Sequence, residues 1–222
     1  MKLRRLVCAI RTLTGASKNA VAGTATFTAL NLIATPLTNY TLSFDSTNLT
    51  SVTSNAIQVT HAAASQLVWV TQPIGGNATG DDLAGQPVLQ LKDRFGNLVT
   101  SDSTSVITAS VASGAGATLS NATATANGGV VSFAHLQMVA TPGTAYKLKF
   151  ATAAITSADS DAITVTNNVA TQIVVSRAAA GARAGLAFTT QPKITIKDAY
   201  GNVVTTNSGS GATITASISS GG

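Results

Sequence analysis

The chain has 222 residues, which is enough for one large domain or two small ones. It contains no Glu, and only 9% of its residues are charged, so it lacks the Glu, Lys and Arg that usually cover exposed helix faces. Abundant Thr, Ser and Val favour strands, and a hydrophobic content of 45% is too high for a disordered chain.

The positive charge is concentrated at the amino-terminal end. Five of the 13 Lys and Arg fall in the first 18 residues, while the remaining 204 residues carry eight Lys or Arg and eight Asp. A nucleic-acid surface needs cations spread over a folded face, so we expect no nucleic-acid partner.

Residues 1–10 form a leader that matches nothing else in the chain. Its apolar run from Leu6 to Ile10 is shorter than that of a secretory signal, and no stretch reaches the roughly 18 apolar residues of a membrane span. Cys8 is the only cysteine, which excludes an internal disulfide framework and cysteine-based metal sites.

A repeat organises the rest of the chain. Residues 27–36 align with residues 133–142, and Tyr40 to Phe44 align with Tyr146 to Phe150, both at an offset of 106. Residues 86–100 align with residues 191–205 at an offset of 105. These matches predict the carboxy-terminal half of one repeat at 11–62, a complete repeat at 63–168 and the amino-terminal half of a third at 169–222.

The two half-repeats have two interpretations. A half of about 52 residues buries little surface and is marginal alone, so the chain could be a piece of a longer array. The halves also nearly tile one repeat, so the end of one chain could complete the start of the next, giving head-to-tail self-association into open fibres.

The alternation of apolar and polar residues predicts strands. Leu89 and Leu91 alternate with Gln90 and Lys92, and Tyr146, Leu148 and Phe150 alternate with lysines. Further strands are expected at 67–71, 106–111, 130–133 and 163–166. About seven short strands in about 100 residues predict an all-β fold of tandem immunoglobulin-like Greek-key β-sandwiches.

Tyr146 stands at the start of a late strand, two residues before Leu148. In immunoglobulin domains this position is the tyrosine corner, and a disulfide cysteine occupies the place of Leu148. We therefore expect Leu148 to fill the core where a cystine would lie. Trp69 falls on the first strand rather than the third, unlike in antibody domains.

A motif recurs after the second strand of each repeat, as Lys92-Asp-Arg-Phe-Gly-Asn97 and Lys197-Asp-Ala-Tyr-Gly-Asn202. It resembles the K-D-x-x-G-N-x-V signature of bacterial immunoglobulin-like repeats, as in invasin, intimin and other adhesin-like surface proteins. The resemblance covers residues 11–222. It implies a sandwich fold and a cell-surface or extracellular location, and it implies no catalytic residues.

Local chemistry gives this motif a structural role. The aspartate, Asp93 or Asp198, can accept backbone N–H groups and begin a tight turn, in which Gly96 or Gly201 adopts positive φ. The remaining motif residues are two aromatics expected to cover the end of the core and two asparagines in the turn: Phe95, Tyr200, Asn97 and Asn202. An isopeptide between Lys92 and Asn97 is not expected, because both lie on one hairpin.

Residues for catalysis or metal binding are sparse. His61 and His135 fall at positions where the other copy has Asn167 and Ala29, and neither shows a zinc-ligand spacing. The acidic pairs 81–82 and 159–161 lie in Gly- and Ser-rich stretches and are expected to be hydrated, with weak Ca²⁺ ligation at most. We expect no enzyme activity and no cofactor.

Of three candidate functions, two fit these features. The first is a structural or adhesive stalk segment of a bacterial cell-surface or secreted protein, with neighbouring repeats of the same protein and a host or surface ligand as partners. The second is an accessory carbohydrate- or ligand-binding module of a secreted enzyme, for which Trp69 is the one aromatic candidate. The third, a cytosolic filament crosslinker, is disfavoured by the Thr-rich composition without Glu.

Overall fold

The computed structural model describes residues 11–206 and 209–220, and the leader at 1–10, including Cys8, lies outside this range. The described residues form strands and no helix, so the predicted all-β fold is confirmed. None of these elements is a helix of the length and hydrophobicity needed to cross a membrane. The strands are β1 Thr12–Thr14, β2 Asn31–Ile33, β3 Asn39–Tyr40, β4 Ser43–Phe44, β5 Val52–Thr53, β6 Ile57–Gln58, β7 Ala64–Thr71, β8 Val88–Asp93, β9 Val106–Ser113, β10 Thr118–Ser120, β11 Thr123–Thr125, β12 Val130–Ser132, β13 Gln137–Val139, β14 Lys147–Ala151, β15 Ala170–Arg177 and β16 Lys193–Asp198.

Segment 63–168 forms a sandwich of two three-stranded antiparallel sheets, and β10 pairs with β13 in a further two-stranded sheet. One sheet has the order β12-β8-β7 and the other β11-β9-β14. After β8 in the first sheet, the chain crosses to β9 in the second sheet. It later crosses back so that β12 pairs with β8, and it crosses again so that β14 pairs with β9. This exchange between sheets is the Greek-key connectivity of immunoglobulin-like sandwiches.

The core of this sandwich consists of the side chains that alternate inward. Leu89 and Leu91 of one sheet meet Ile107, Leu148 and Phe150 of the other, and all five are fully buried. The indole of Trp69 packs edge-on against the Phe150 ring with centroids 5.0 Å apart. The predicted inward face of β14 is therefore confirmed.

Tyr146 occupies the tyrosine-corner position and is fully buried. Its hydroxyl accepts a hydrogen bond from the backbone N–H of Thr141 (3.1 Å) and donates to the carbonyl of Ala115 (3.5 Å). The equivalent Tyr40 hydroxyl donates to the carbonyl of Thr35 (3.4 Å), so the corner recurs in segment 11–62.

Gly114 gives the tyrosine corner its space. Its φ is +95°, and a Cβ atom there would overlap the Tyr146 ring. We expect Gly114→Ala to destabilise segment 63–168 by about 1–3 kcal/mol, through strain and overpacking together. Gly116→Ala is the matched control, because Gly116 also has positive φ (+78°) but faces open space. Urea unfolding followed by the fluorescence of the single tryptophan would measure both; equal losses would contradict the overpacking.

The predicted strand at 163–166 is present only as two isolated bridges and not as a continuous strand. Ile163 bridges Tyr146 in the antiparallel sense, and Thr166 bridges Ala78 in the parallel sense. Upstream, the Ser160 and Ser157 hydroxyls accept the N–H groups of Leu148 (2.9 Å) and Phe150 (3.0 Å), which a regular neighbouring strand would have bound through its carbonyls. Serine side chains therefore replace part of the backbone ladder along this edge of β14.

The first hairpin of the sandwich recurs in segment 169–220. Residues of β7 pair with β8, and residues of β15 pair with β16, in matching antiparallel registers. Each first strand contains two bulges at equivalent places, between Ala64 and Gln66 and between Trp69 and Thr71 in β7. The bulges of β15 lie between Ala170 and Gln172 and between Val175 and Arg177.

Candidate functional site: the joints between segments

The two motif hairpins fold alike. Asp93 ends β8, and its Oδ1 accepts the backbone N–H groups of Phe95 (2.9 Å) and Asn97 (3.0 Å) around Gly96, whose φ is +84°. Asp198 ends β16 and holds its own turn through the corresponding N–H groups of Tyr200 (2.9 Å) and Asn202 (2.9 Å), and Gly201 also has φ +84°.

The second oxygen of each aspartate reaches the chain that connects two segments. Asp93 Oδ2 accepts the backbone N–H of Ala62 (3.3 Å), two residues before β7. Asp198 Oδ2 accepts the backbone N–H of Asn168 (3.1 Å), two residues before β15. We call the Ala62–Asp93 contact with its surroundings the first joint, and the Asn168–Asp198 contact with its surroundings the second joint.

Both carboxylates are almost completely buried, with 1% of Asp93 and none of Asp198 exposed. Burial alone would raise the pKa of Asp93, but hydrogen bonds from Asn97, Phe95 and Ala62 outweigh it and hold the pKa below its usual value. The pKa of Asp198 is lowered against the same effect of burial by its own set of donors, Asn202, Asn168 and Tyr200. A buried carboxylate that accepts these charge-assisted hydrogen bonds holds the donor groups around it in position.

Contacts across the second joint extend from segment 63–168 to the hairpin of Asp198. The Asn168 amide donates to the carbonyl of Thr79 (3.0 Å) and to the Asp81 carboxylate (3.5 Å). A Cβ atom on Gly80 would overlap the hydroxyl of Tyr200, which shows that the tyrosine ring lies directly against this glycine. The loop at 79–81 therefore forms a surface that contacts the motif turn after Asp198.

The connecting residues also contact the chain that follows each motif. Asn167 is buried, donates to the carbonyl of Val203 (2.6 Å) and accepts from the Thr206 hydroxyl (2.9 Å). At the first joint His61 takes the place of Asn167, and its Nε2 lies 3.4 Å from the Thr100 hydroxyl. At both joints, the connecting chain is therefore held through its side chains as well as through its backbone N–H.

The two motif aromatics do not cover the end of the core as the sequence predicted. Phe95 remains 44% exposed and Tyr200 46% exposed. Phe95 lines a cleft together with Ile33, Pro36 and Val59 of the preceding segment, and Tyr200 lies against Gly80. Their place at the joints explains the exposure, since each ring projects from its own hairpin toward the segment before it.

One contact was missed by the sequence interpretation. His135 Nδ1 lies 2.7 Å from Asp82 Oδ2, and the Gln137 amide donates to Asp82 Oδ1 (2.9 Å). The hydrogen bond from His135, followed by that from Gln137, lowers the pKa of Asp82. Asp82 is thus bound rather than merely hydrated, and Asp159 of the other acidic pair forms an ion pair with Lys149 (3.1 Å).

Within residues 11–206 and 209–220, no group of three or more His, Cys, Asp or Glu side chains is placed to hold a metal ion. Trp69, the candidate for stacking on a ligand, has its indole N–H buried without a hydrogen-bond partner and its ring against Phe150. The one aromatic candidate for ligand binding is therefore partly buried and packs against the core.

No match was found among family models or among curated proteins. Solved structures with similarity include domains 4 and 5 of the S-layer protein SbsC, at 12% identity and a TM-score of 0.35, covering 60% of this chain and 69% of that one. Domains 4–9 of SbsC share 16% identity with a TM-score of 0.37, covering 79% and 26%. The Escherichia coli adhesin FdeC shares 21% identity with a TM-score of 0.42, covering 79% and 55%. The chain thus resembles domains of bacterial surface-layer and adhesin proteins and spans about a quarter to a half of the last two structures.

Proposed function

We propose that this chain is a structural stalk segment of a bacterial cell-surface or secreted protein, in which segment 63–168 is a complete immunoglobulin-like module and the joints hold successive modules in fixed orientation. The observation that carries the proposal is the recurrence of one contact, in which a buried aspartate binds the N–H of the connecting chain, as Asp93 with Ala62 and as Asp198 with Asn168.

The chemistry of the contact suits a spacer. A connection with free backbone groups samples many directions, whereas each joint ties its connection to the end of a strand through a buried charge. In a serial array the interfaces between neighbours determine stiffness. The resemblance of both motif copies to bacterial immunoglobulin-like repeats supports the surface location.

The second joint gives a direct test. We expect Asp198→Ala to broaden the distribution of distances between spin labels placed on β9 and on β16, because the N–H of Asn168 loses its acceptor. Asp102→Ala is the matched control: the Asp102 carboxylate accepts the N–H groups of Thr104 (3.2 Å) and Ser105 (2.9 Å) but no donor from a connection.

Pulsed electron spin resonance on the purified chain would measure both variants. The proposal predicts a distribution for Asp102→Ala as narrow as that of the unsubstituted chain. An equally narrow distribution in Asp198→Ala would show that the aspartate does not set the orientation and would contradict the proposal.

A further inference from the structure

The loop that carries Gly80 is fixed within segment 63–168. Thr79 is fully buried, and its hydroxyl donates to the carbonyl of Ala140 (3.0 Å) and accepts the backbone N–H of the same residue (2.9 Å). The N–H of Gly80 donates to the carbonyl of Met138 in β13 (2.9 Å). The backbone at Gly80 is therefore tied to a strand of its own sandwich and has little freedom to move away from a neighbour.

Tyr200 is held as firmly by its own hairpin. Its backbone N–H donates to Asp198 Oδ1 (2.9 Å), and the N–H of Gly201 donates to the backbone carbonyl of Asp198 (3.1 Å). The ring therefore projects from a turn whose geometry is set by one aspartate. A contact between two rigid elements restricts their relative position more than a contact between mobile loops.

The contact between the two elements requires a glycine. A Cβ atom on Gly80, whose φ is +89°, would overlap the hydroxyl and two ring carbons of Tyr200. Gly185 is the equivalent residue of the next copy at an offset of 105, and its φ is +72°. A Cβ atom on Gly185 meets no described atom within 4 Å. Backbone conformation alone accounts for Gly185, whereas at Gly80 the approach of the ring is a second requirement.

This contact joins the two segments without passing through the connection between them. The hydrogen bonds of Asn168 act on the connecting chain itself, and a single fixed point there still allows the next segment to rotate about the connection. Gly80 and Tyr200 belong to the two segments on either side of it. A second contact away from the connection opposes that rotation.

We propose that the contact of Tyr200 with Gly80 sets the twist of segment 169–220 relative to segment 63–168, in addition to the Asp198 contact that holds the connection. The partner of the loop at 79–81 is thus the motif aromatic of the following repeat, and the glycine admits that ring. This inference rests on the proposed spacer function, because it assigns a further pair of positioning residues to the same joint.

Residual dipolar couplings of backbone amides, measured by NMR on the full chain in a dilute aligning medium, report the orientation of each segment. Strands β8 and β9 represent segment 63–168, and β15 and β16 represent segment 169–220. We expect one common alignment tensor in the unsubstituted chain. In Tyr200→Ala we expect two different tensors and weaker alignment of β15 and β16, while Asp198 still protects the Asn168 N–H from exchange with solvent.

A glycine pair supplies the complementary test. Gly80→Ala should change the relative orientation of the two segments, because its Cβ displaces the ring. Gly185→Ala is the matched control, since it also places a Cβ at positive φ but meets no ring. Adding Tyr200→Ala to Gly80→Ala should give the couplings of Tyr200→Ala alone, because no ring remains to be displaced.

Tryptophan emission from Trp69 reports whether segment 63–168 remains folded in each variant. If Gly80→Ala unfolds it, Tyr200→Ala still tests the proposal, because that substitution changes no residue of segment 63–168. A common tensor retained in Tyr200→Ala would overturn the proposal. So would equal effects of Gly80→Ala and Gly185→Ala, or an effect of Gly80→Ala that persists without the ring.

The spin-label distances in Asp198→Ala test the spacer function separately. If Asp198→Ala loosens the joint and Tyr200→Ala does not, the spacer function stands and the role of Tyr200 is wrong. If only Tyr200→Ala loosens it, the role of Asp198 is wrong and that of Tyr200 stands. Two different tensors in the unsubstituted chain would mean that the joint is not rigid and would overturn both.

Discussion

Replacement of Phe150 by Ala is expected to lower the free energy of unfolding of segment 63–168 by about 3–5 kcal/mol. Phe150 is fully buried and contacts the rings of both Trp69 and Phe133 at centroid distances of 5.0 Å. Removing the ring leaves a cavity between the two sheets that its neighbours fill only in part. A single domain has about 5–15 kcal/mol of stability in total, so the variant approaches the limit of folding.

Phe44→Ala is the matched control, because Phe44 is the equivalent residue of segment 11–62 and is only half-buried. Urea unfolding followed by Trp69 fluorescence reports on segment 63–168 alone, since the chain has one tryptophan. We expect a large shift of the midpoint for Phe150→Ala and almost none for Phe44→Ala. Equal shifts would mean that segment 63–168 has no separate core.

Lowering the pH is expected to weaken the hydrogen bonds that Asp93 and Asp198 accept, both at the two joints and in the turns that follow these residues. Four of the eight aspartates have a lowered pKa in the folded chain: Asp82, Asp93, Asp102 and Asp198. An unfolded aspartate has a pKa of about 3.9. A group whose folded pKa lies below this value contributes stability that is present above about pH 4 and is lost as the pH falls through the folded pKa.

Amide resonances measure this transition at each joint. We expect the Asn168 N–H to shift and to exchange faster with solvent as the pH falls below about 4, because protonated Asp198 is a weaker acceptor. In Asp198→Asn the group no longer titrates, so the Asn168 signal should stay constant while the Ala62 signal still responds to Asp93. If the Asn168 signal still changes with pH in this variant, the change must come from another titrating group.

The sequence predicted those features that depend on local patterns. Alternating residues in and just before β14 identified Tyr146, Leu148 and Phe150 as core, because extended backbone places every second side chain on one face. The turn at Gly96 was predictable because a short aspartate-to-glycine pattern determines backbone geometry within five residues. Both signals were strengthened by recurrence in a second copy.

Contacts between distant residues were not predictable in the same way. The partner of Asp93 is a backbone N–H 31 residues away, and a backbone donor leaves no mark in the residue type, which is Ala at one joint and Asn at the other. The His135–Asp82 pair joins residues 53 apart with no counterpart in the other copy. The motif aspartates recur in both copies, and this recurrence was the one signal that pointed to the joints.

The paired bulges of β7 and β15 have a consequence for solubility. Both strands lie at the border of their sheets, where a straight, weakly charged strand would recruit further chains into cross-β stacks. A bulge shifts the spacing of the N–H and C=O groups and increases the local twist, so an incoming strand cannot pair along the whole length. Two bulges in eight residues therefore oppose continuous pairing of β7 or β15 with the edge strand of another copy.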